Sequence, residues 1–260
     1  MIDTATKAER RGNAAARLLR MHHESRVGHI GGNLSSLDIL MSLYHDTLTD
    51  DDHFILSKGH AAGALYVALW SIGRLSEDDL KTFHGDGTLL SGHPPAGGID
   101  DIPFATGSLG HGLGLACGIA LAKQLRRAPG RIFCLTSDGE WNEGSTWEAL
   151  IFAAHRGLEN LVIIVDLNGL QGFGGTREVA NLEPLADKLR GFGAVTIEID
   201  GHDQGALSAA FATSEAGPRA IVAHTVKGHG LSFMENRMDS HYLPLTDEQY
   251  AAALRELAAR

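Results

Sequence analysis

Leu161–Val162–Ile163–Ile164–Val165 is apolar at every position. A strand turns successive side chains to opposite faces, so a run without alternation has to be covered on both. That is the situation of a strand in a parallel sheet between two layers of helices, and it excludes a sheet with one face in water. The surrounding sequence repeats the pattern. Helical periodicity covers about residues 110–126, 144–156, 182–191 and 203–215, and short apolar runs cover 131–136, 161–166, 194–199 and 219–224. This alternation predicts an α/β fold, a doubly wound and mostly parallel sheet with helices on both faces. Ligands of such folds bind beyond the carboxyl ends of the strands.

The first hundred residues are less regular. Residues 4 to 24 read as an amphipathic helix, which the Gly-rich stretch Val27–Gly28–His29–Ile30–Gly31–Gly32 is expected to break. A second helix is expected from Ser35–Ser36, with Ser36 as its cap. Phe54–Ile55–Leu56–Ser57 predicts a short strand, followed by Lys58–Gly59–His60 and an apolar helix from Ala61 to Ile72. Residues 85 to 107 are rich in glycine and proline and predict a long functional loop. A last helix is expected over about 246–258. With no internal repeat or linker, the 260 residues form one expected domain, 1–260.

The formal net charge of −10 comes without any basic cluster, which argues against a nucleic-acid partner. No secretory signal opens the chain, and no apolar run approaches the roughly 20 residues that span a bilayer, so a cytoplasmic location is expected. Cys117 and Cys134 lie in apolar runs and are expected as buried free thiols. The chain has 14 histidines, and His29, His60, His93, His111, His202 and His229 each directly follow a glycine. Histidines so placed belong to loops and element ends, which points to a polar site assembled from loops. His22, His23, His45, His53 and His155 are expected to be surface or partly buried residues without a role. A structural or loop role is expected for His111, His202 and His229.

Two expected strands end in chemistry. One runs into Ser137–Asp138–Gly139–Glu140 and the other into Asp166–Leu167–Asn168–Gly169. Asp138 and Asn168 are then hard oxygen donors at neighbouring strand tips, a set that suits Mg²⁺ shared with a phosphate. Gly139 permits close backbone approach, and the helix expected near Gly144 would aim N–H groups at an anion. Each Gly-containing pair also reads, taken alone, as an ordinary turn.

Further pieces follow in a fixed order: Gly28–His29–Ile30–Gly31–Gly32, Ser57–Lys58–Gly59–His60–Ala61, Ser91–Gly92–His93–Pro94 and Thr106–Gly107–Ser108–Leu109–Gly110. Asp138–Gly139 with Glu143–Gly144, then Asn168, then Thr225–Val226–Lys227–Gly228–His229–Gly230 and His241 complete the series. Together they resemble the transketolase family of thiamine diphosphate enzymes. The resemblance implies that Asp138, Asn168 and the backbone carbonyl of Leu170 hold a metal, Mg²⁺ or Ca²⁺, that anchors the cofactor's diphosphate. Gly139, Glu140, His60 and His241 would lie at the cofactor, with Gly107 and Leu109 against its aminopyrimidine. His29, His93 and His241 would line the pocket at the reactive carbon, hydrogen-bonding sugar hydroxyls and moving protons. Glu143 and Glu148 match acidic positions where glutamates share protons between two active sites, which gives Glu143 a catalytic part. The family's Trp-His-Gly is replaced here by Ser240–His241–Tyr242, which leaves a bulkier entrance.

Transketolase-like enzymes also carry a pyrimidine-binding domain, for which 260 residues leave no room. The resemblance therefore implies the N-terminal, diphosphate-binding subunit of a split transketolase, inert alone. A separate C-terminal subunit would complete it, two copies of each making a heterotetramer. The implied reaction transfers a two-carbon ketol unit from a ketose or its phosphate to an aldose. Alternatives are a 1-deoxyxylulose-5-phosphate synthase-like enzyme, a 2-oxo acid decarboxylase or dehydrogenase subunit, and a non-catalytic α/β module. A nucleotide-binding reading is weakened by the absence of Gly-x-Gly-x-x-Gly after a strand and of Gly-x4-Gly-Lys-Ser/Thr.

Overall fold

The structure, a computed structural model, describes residues 6–259. In chain order it runs α1 (Lys7–Ser25), α2 (Ile30–Asp46), β1 (His53–Leu56), α3 (Ala62–Ser71), α4 (Glu77–Leu80), α5 (Gly112–Arg126), β2 (Ile132–Ser137), α6 (Gly144–His155) and β3 (Leu161–Leu167). It continues with a small hairpin of β4 (Leu170–Gln171) and β5 (Gly174–Gly175), then α7 (Thr176–Val179), α8 (Leu185–Gly191) and β6 (Val195–Asp200). The last elements are α9 (Gln204–Ala212), β7 (Arg219–His224), α10 (Asp239–Tyr242) and α11 (Asp247–Ala258).

The main sheet has the order β1-β2-β3-β7-β6, and every neighbouring pair is parallel. All five residues from Leu161 to Val165 are 0% exposed, as the unalternating run demands. Val162 and Ile164 pack into one core with residues of α1, α2, α3, α9 and α11. Leu161, Ile163 and Val165 pack into a second with α5, α6 and α8. Each such side chain contributes about 1.5–3 kcal/mol through removal from water. The crossovers through α6 and α8 use one face and the return through α9 uses the other, as a single crossover hand requires. All five strands consequently end at one edge, where Lys58, Asp138, Asn168 and Thr225 follow their last residues.

Local chemistry sets the element boundaries. Thr6 caps α1 in a reciprocal pair with Glu9, so the helix starts later than residue 4; residues 4 and 5 lie outside the described ones. The second helix starts at Ile30, not near Ser35, and Gly31 and Gly32 lie within it. The break is made by Arg26, which ends α1 at φ 55, and by His29, which precedes α2 at φ 62, both in the left-handed region. Gly31 serves packing instead, because a Cβ there would collide with the Ser240 hydroxyl. Ser36, expected as a cap, is buried and donates to the Gly32 carbonyl. Residues 85–107 hold no helix or strand, as expected. Cys117 and Cys134 are buried and free, and burial pushes the Cys117 thiol up to about 12.

Candidate functional site

The long loop is strapped over the end of β1 by close backbone contact. Thr106 donates its hydroxyl to the Leu56 carbonyl at 2.6 Å. A Cβ on Gly59 would lie 2.7 Å from the Gly107 nitrogen, so only glycine allows the two segments to touch. Gly107 itself has φ 137, and a Cβ there would lie 2.7 Å from the His93 ring. Upstream, the Tyr66 hydroxyl donates to the Ser91 carbonyl at 2.9 Å and fixes the approach to His93.

Four histidines from four separate segments meet there. The His29 ring lies 5.8 Å from His60, 6.3 Å from His93 and 5.2 Å from His241, centre to centre. His60 and His241 are 5.9 Å apart. The His29 amide donates to the His241 carbonyl at 3.0 Å, which ties α10 to the start of α2. Burial drives all four ring pKa values down. Lys58 and then the neighbouring rings push His60 further below its usual value, while Lys227 helps bring His241 to about 3. His93 adds to the lowering of His29, and His84 to that of His93. All four are therefore neutral near pH 7, each with one N–H to donate and one lone pair to accept. A cavity of about 290 Å³ opens beside His29, His60 and His93, walled further by His22, Phe83, His84 and Tyr242. A larger groove of about 700 Å³ runs along α11 past Phe233 and Leu243, and holds none of these rings.

The acidic side of the site joins two strand ends. Asp138 is 1% exposed and accepts from the Gly139 amide at 2.8 Å and the Gly169 amide at 2.7 Å. Burial, reinforced by Asp166, raises its carboxyl to about 6. Asn168 Oδ1 accepts from the Leu170 amide at 3.1 Å. The Leu170 carbonyl accepts from Lys227 Nζ at 3.1 Å, and that ammonium also lies 2.6 Å from His241 Nδ1. Burial and then Lys58 lower Lys227 to about 8. Behind Asp138, Lys58 and Asp166 form a completely buried ion pair. Ser35, Ser36 and Thr225 donate their hydroxyls to the same carboxylate. Burial works to raise the Asp166 carboxyl, but Lys58 and these donors outweigh it and the net shift is downward.

Asp138, Asn168 and the Leu170 carbonyl are thus three hard oxygens at one sheet edge, and among the described residues Asp138 makes no ion pair. A buried carboxylate so placed fits a hard dication. A second cluster, Asp38, His202 and His229, is not comparable. Arg11 already pairs with Asp38, and both ring nitrogens of His202 are in use, one toward Asp38 and one accepting from the Val226 amide.

The remaining expected residues are placed as follows. Gly139 lies against Gln171, 3.1 Å from a would-be Cβ. Glu140, expected at the cofactor, is fully buried, with its carboxylate accepting from the Ser57 hydroxyl, the Gly110 amide and the Ser137 amide. It holds loops together behind the site. Leu109 is half-buried; Glu143 precedes α6, and it and Glu148 are exposed. His22 is not a surface residue: it is 1% exposed and donates through Nδ1 toward the Val27 carbonyl, so it is a core histidine. Sequence reasoning assigned no role to Lys227, to the Lys58–Asp166 pair or to Asn33. The pattern of small polar residues around Gly32 was the available signal for that buried network. Tyr242, flagged for its bulk, donates its hydroxyl to the Gly172 carbonyl at 2.8 Å and closes one side of the cavity.

Comparison with known proteins gives a consistent picture. The family model "Transketolase, thiamine diphosphate binding domain" matches residues 9–259. An apulose-4-phosphate transketolase subunit of Phocaeicola vulgatus is 37% identical, over 94% of this chain and 91% of the relative. A 6-deoxy-6-sulfo-D-fructose transketolase subunit of a Clostridium species is 39% identical, over 89% of this chain and 88% of the relative. Among solved structures, the transketolase of Campylobacter jejuni superposes with a TM-score of 0.90 at 27% identity. That match covers 98% of this chain and 43% of the longer one.

Proposed function

Because the chain belongs to the family of transketolase thiamine diphosphate-binding domains, we propose that it is the cofactor-binding subunit of a two-chain transketolase. With its partner it moves a two-carbon ketol unit from a ketose or its phosphate to an aldose. The observation that carries this reading is the meeting of four neutral histidines beside the Asp138, Asn168 and Leu170 oxygens. A sugar presents many hydroxyls near the bond that breaks, and rings that both donate and accept suit them.

Thiamine diphosphate, when bound, supplies the electron sink that makes carbon–carbon cleavage possible. Asp138, Asn168 and the Leu170 carbonyl would hold Mg²⁺ at its diphosphate, with Lys227 turning its ammonium toward the same charge. Gly107 and Leu109 would lie along the ring system. His29 and His93 would bind sugar hydroxyls, and His241, held as the Nε2–H tautomer by Lys227, would donate a hydrogen bond from Nε2.

Relatives matched over nearly their whole length are named as subunits, which supports a separate partner carrying the pyrimidine-binding domain. An outward face supports it as well: Glu143, Glu148, Ile151 and Phe152 of the α6 region are exposed, and α5 beside it presents open Gly114 and Gly118. Two copies of each chain would give the symmetric pairing that coupled sites need. The test is reconstitution. Ketol transfer is expected from the chain mixed with a pyrimidine-domain subunit encoded beside it, and none from the chain alone. Full activity from the isolated chain would refute the two-chain reading.

A further inference from the structure

Helix α3 begins without a cap of its own. Ala61, the residue before it, makes no side-chain capping hydrogen bond. The amide of Ala64 in its first turn is satisfied from elsewhere, donating to Asn33 Oδ1 at 2.7 Å across 31 residues of chain. The other end of that amide group is also committed. Asn33 Nδ2 donates to the His29 carbonyl at 2.9 Å and to the His60 carbonyl at 3.1 Å. Asn33 is 1% exposed, so no water stands in for these bonds.

The two carbonyls belong to two of the four site histidines. Among the described residues neither the His29 ring nor the His60 ring makes a hydrogen bond, so their placement rests on their backbones. His29 holds a left-handed φ of 62, a conformation that persists in a non-glycine residue only where the surroundings enforce it. The Asn33 backbone amide reaches the same carbonyl at 3.2 Å. One residue thus restrains a strained turn, a second loop and the first turn of a helix.

We propose that Asn33 is the positioning residue that sets the spacing of His29 and His60, and so the reach of both rings into the cavity. The proposal rests on the functional reading only for what those rings do, not for how they are held. It makes a distinctive demand on chemistry. Asp in place of Asn keeps the volume and the acceptor for Ala64, yet turns an oxygen lone pair toward two carbonyls. Protonation of that carboxyl restores one donor.

The test uses the full 260-residue chain, labelled with ¹⁵N-histidine, as wild type and as Asn33→Asp. At pH 7.5 the ring resonances of His29 and His60 are expected to differ from wild type, and the difference should shrink as the pH falls and the carboxyl protonates. His111 and His155, both exposed, should match wild type at every pH. Unmoved His29 and His60 resonances in folded Asn33→Asp overturn the proposal. Should that variant fail to fold, Asn33→Ser, whose hydroxyl can serve only one carbonyl, is judged by the same resonances. In the reconstituted complex, kcat should drop about 10- to 100-fold, the usual cost of a displaced catalytic group. Thiamine diphosphate affinity should fall as well, because His60, one of the two displaced rings, is placed at the cofactor. An unchanged kcat would overturn the proposal. Absence of ketol transfer in the wild-type complex would defeat the functional reading while the spectra still decide the role of Asn33.

Discussion

Lys227 Nζ lies 2.6 Å from His241 Nδ1 while donating to the Leu170 carbonyl at 3.1 Å. An ammonium has only protons to offer, so Nδ1 accepts and the His241 proton is confined to Nε2. Burial first, and then this charge, hold the ring at about 3. Lys227→Met keeps the stem and removes the charge. The His241 pKa is expected to rise toward the ordinary histidine range in an NMR titration, and an unchanged value would show that burial alone holds it.

Cofactor binding is expected to need metal, since Asp138 and Asn168 face a diphosphate only through a shared cation. Calorimetry on the reconstituted complex should show thiamine diphosphate affinity lost in EDTA and lost in Asp138→Ala. Because burial raises Asp138 to about 6, protons compete with metal on the acid side. Affinity should therefore weaken as the pH falls through about 6, and more so at low Mg²⁺. Equal affinity with and without chelator would remove the metal from the site.

His29→Ala and His93→Ala should lower turnover and leave cofactor affinity nearly intact. Each lost hydrogen bond to the reacting sugar is worth about 1–3 kcal/mol, or roughly ten- to a hundredfold in rate. Steady-state kinetics beside a cofactor titration tells the two effects apart. A collapse of affinity with normal saturated turnover would place both rings at the cofactor instead.

Asp166→Ala strips the partner from a lysine with no access to water. Removing one member of a buried pair costs about 3–5 kcal/mol, whereas exchanging both for apolar residues is close to neutral. Urea unfolding should show that loss for Asp166→Ala and most of it recovered in Lys58→Met with Asp166→Leu. A single substitution as mild as the double would mean that water reaches Lys58.

Stability should fall in acid. His22, fully buried, is lowered to about 4, and His241 to about 3. The unfolded chain takes up protons near 6.5, before the folded chain does, so stability declines as the pH drops from about 6.5 to about 4. His22 alone accounts for roughly 3 kcal/mol of this. Asp138, raised to about 6, opposes the trend as one group against several. His22→Phe should flatten the acid limb of a urea-midpoint profile, and an unaltered limb would clear His22 of the effect.

The sheet was legible because Leu161–Val165 admits only one environment, and β2 and β7 repeat its unbroken apolar run, whereas the edge strand β6 alternates. The Gly-His segments were legible as a site because glycine beside a polar ring marks a loop. Gly31–Gly32 misled for the same reason. The smallness of Gly31 answers Ser240 and the Lys227 stem, partners some 200 residues away that no local pattern announces, and Gly32 faces the His60 ring. Glu140 was read by its adjacency to Asp138, yet successive residues in a tight turn face different ways, and its side chain points back into the loops. The buried position of Lys58 was invisible because lysine almost always lies at the surface unless a distant partner, here Asp166, compensates it.

Glu140 collects bonds from Ser57, Gly110 and Ser137, three stretches of chain that meet only once β1 and β2 are side by side. On a ribosome, none of these bonds can close until about 140 residues have emerged, and closing so long a loop carries an entropic cost before any contact repays it. The floor beneath the histidines therefore closes and opens with the pairing of β1 and β2. Hydrogen exchange at the Gly110 and Ser137 amides would time both, and ligands that bind this edge should slow those two amides together.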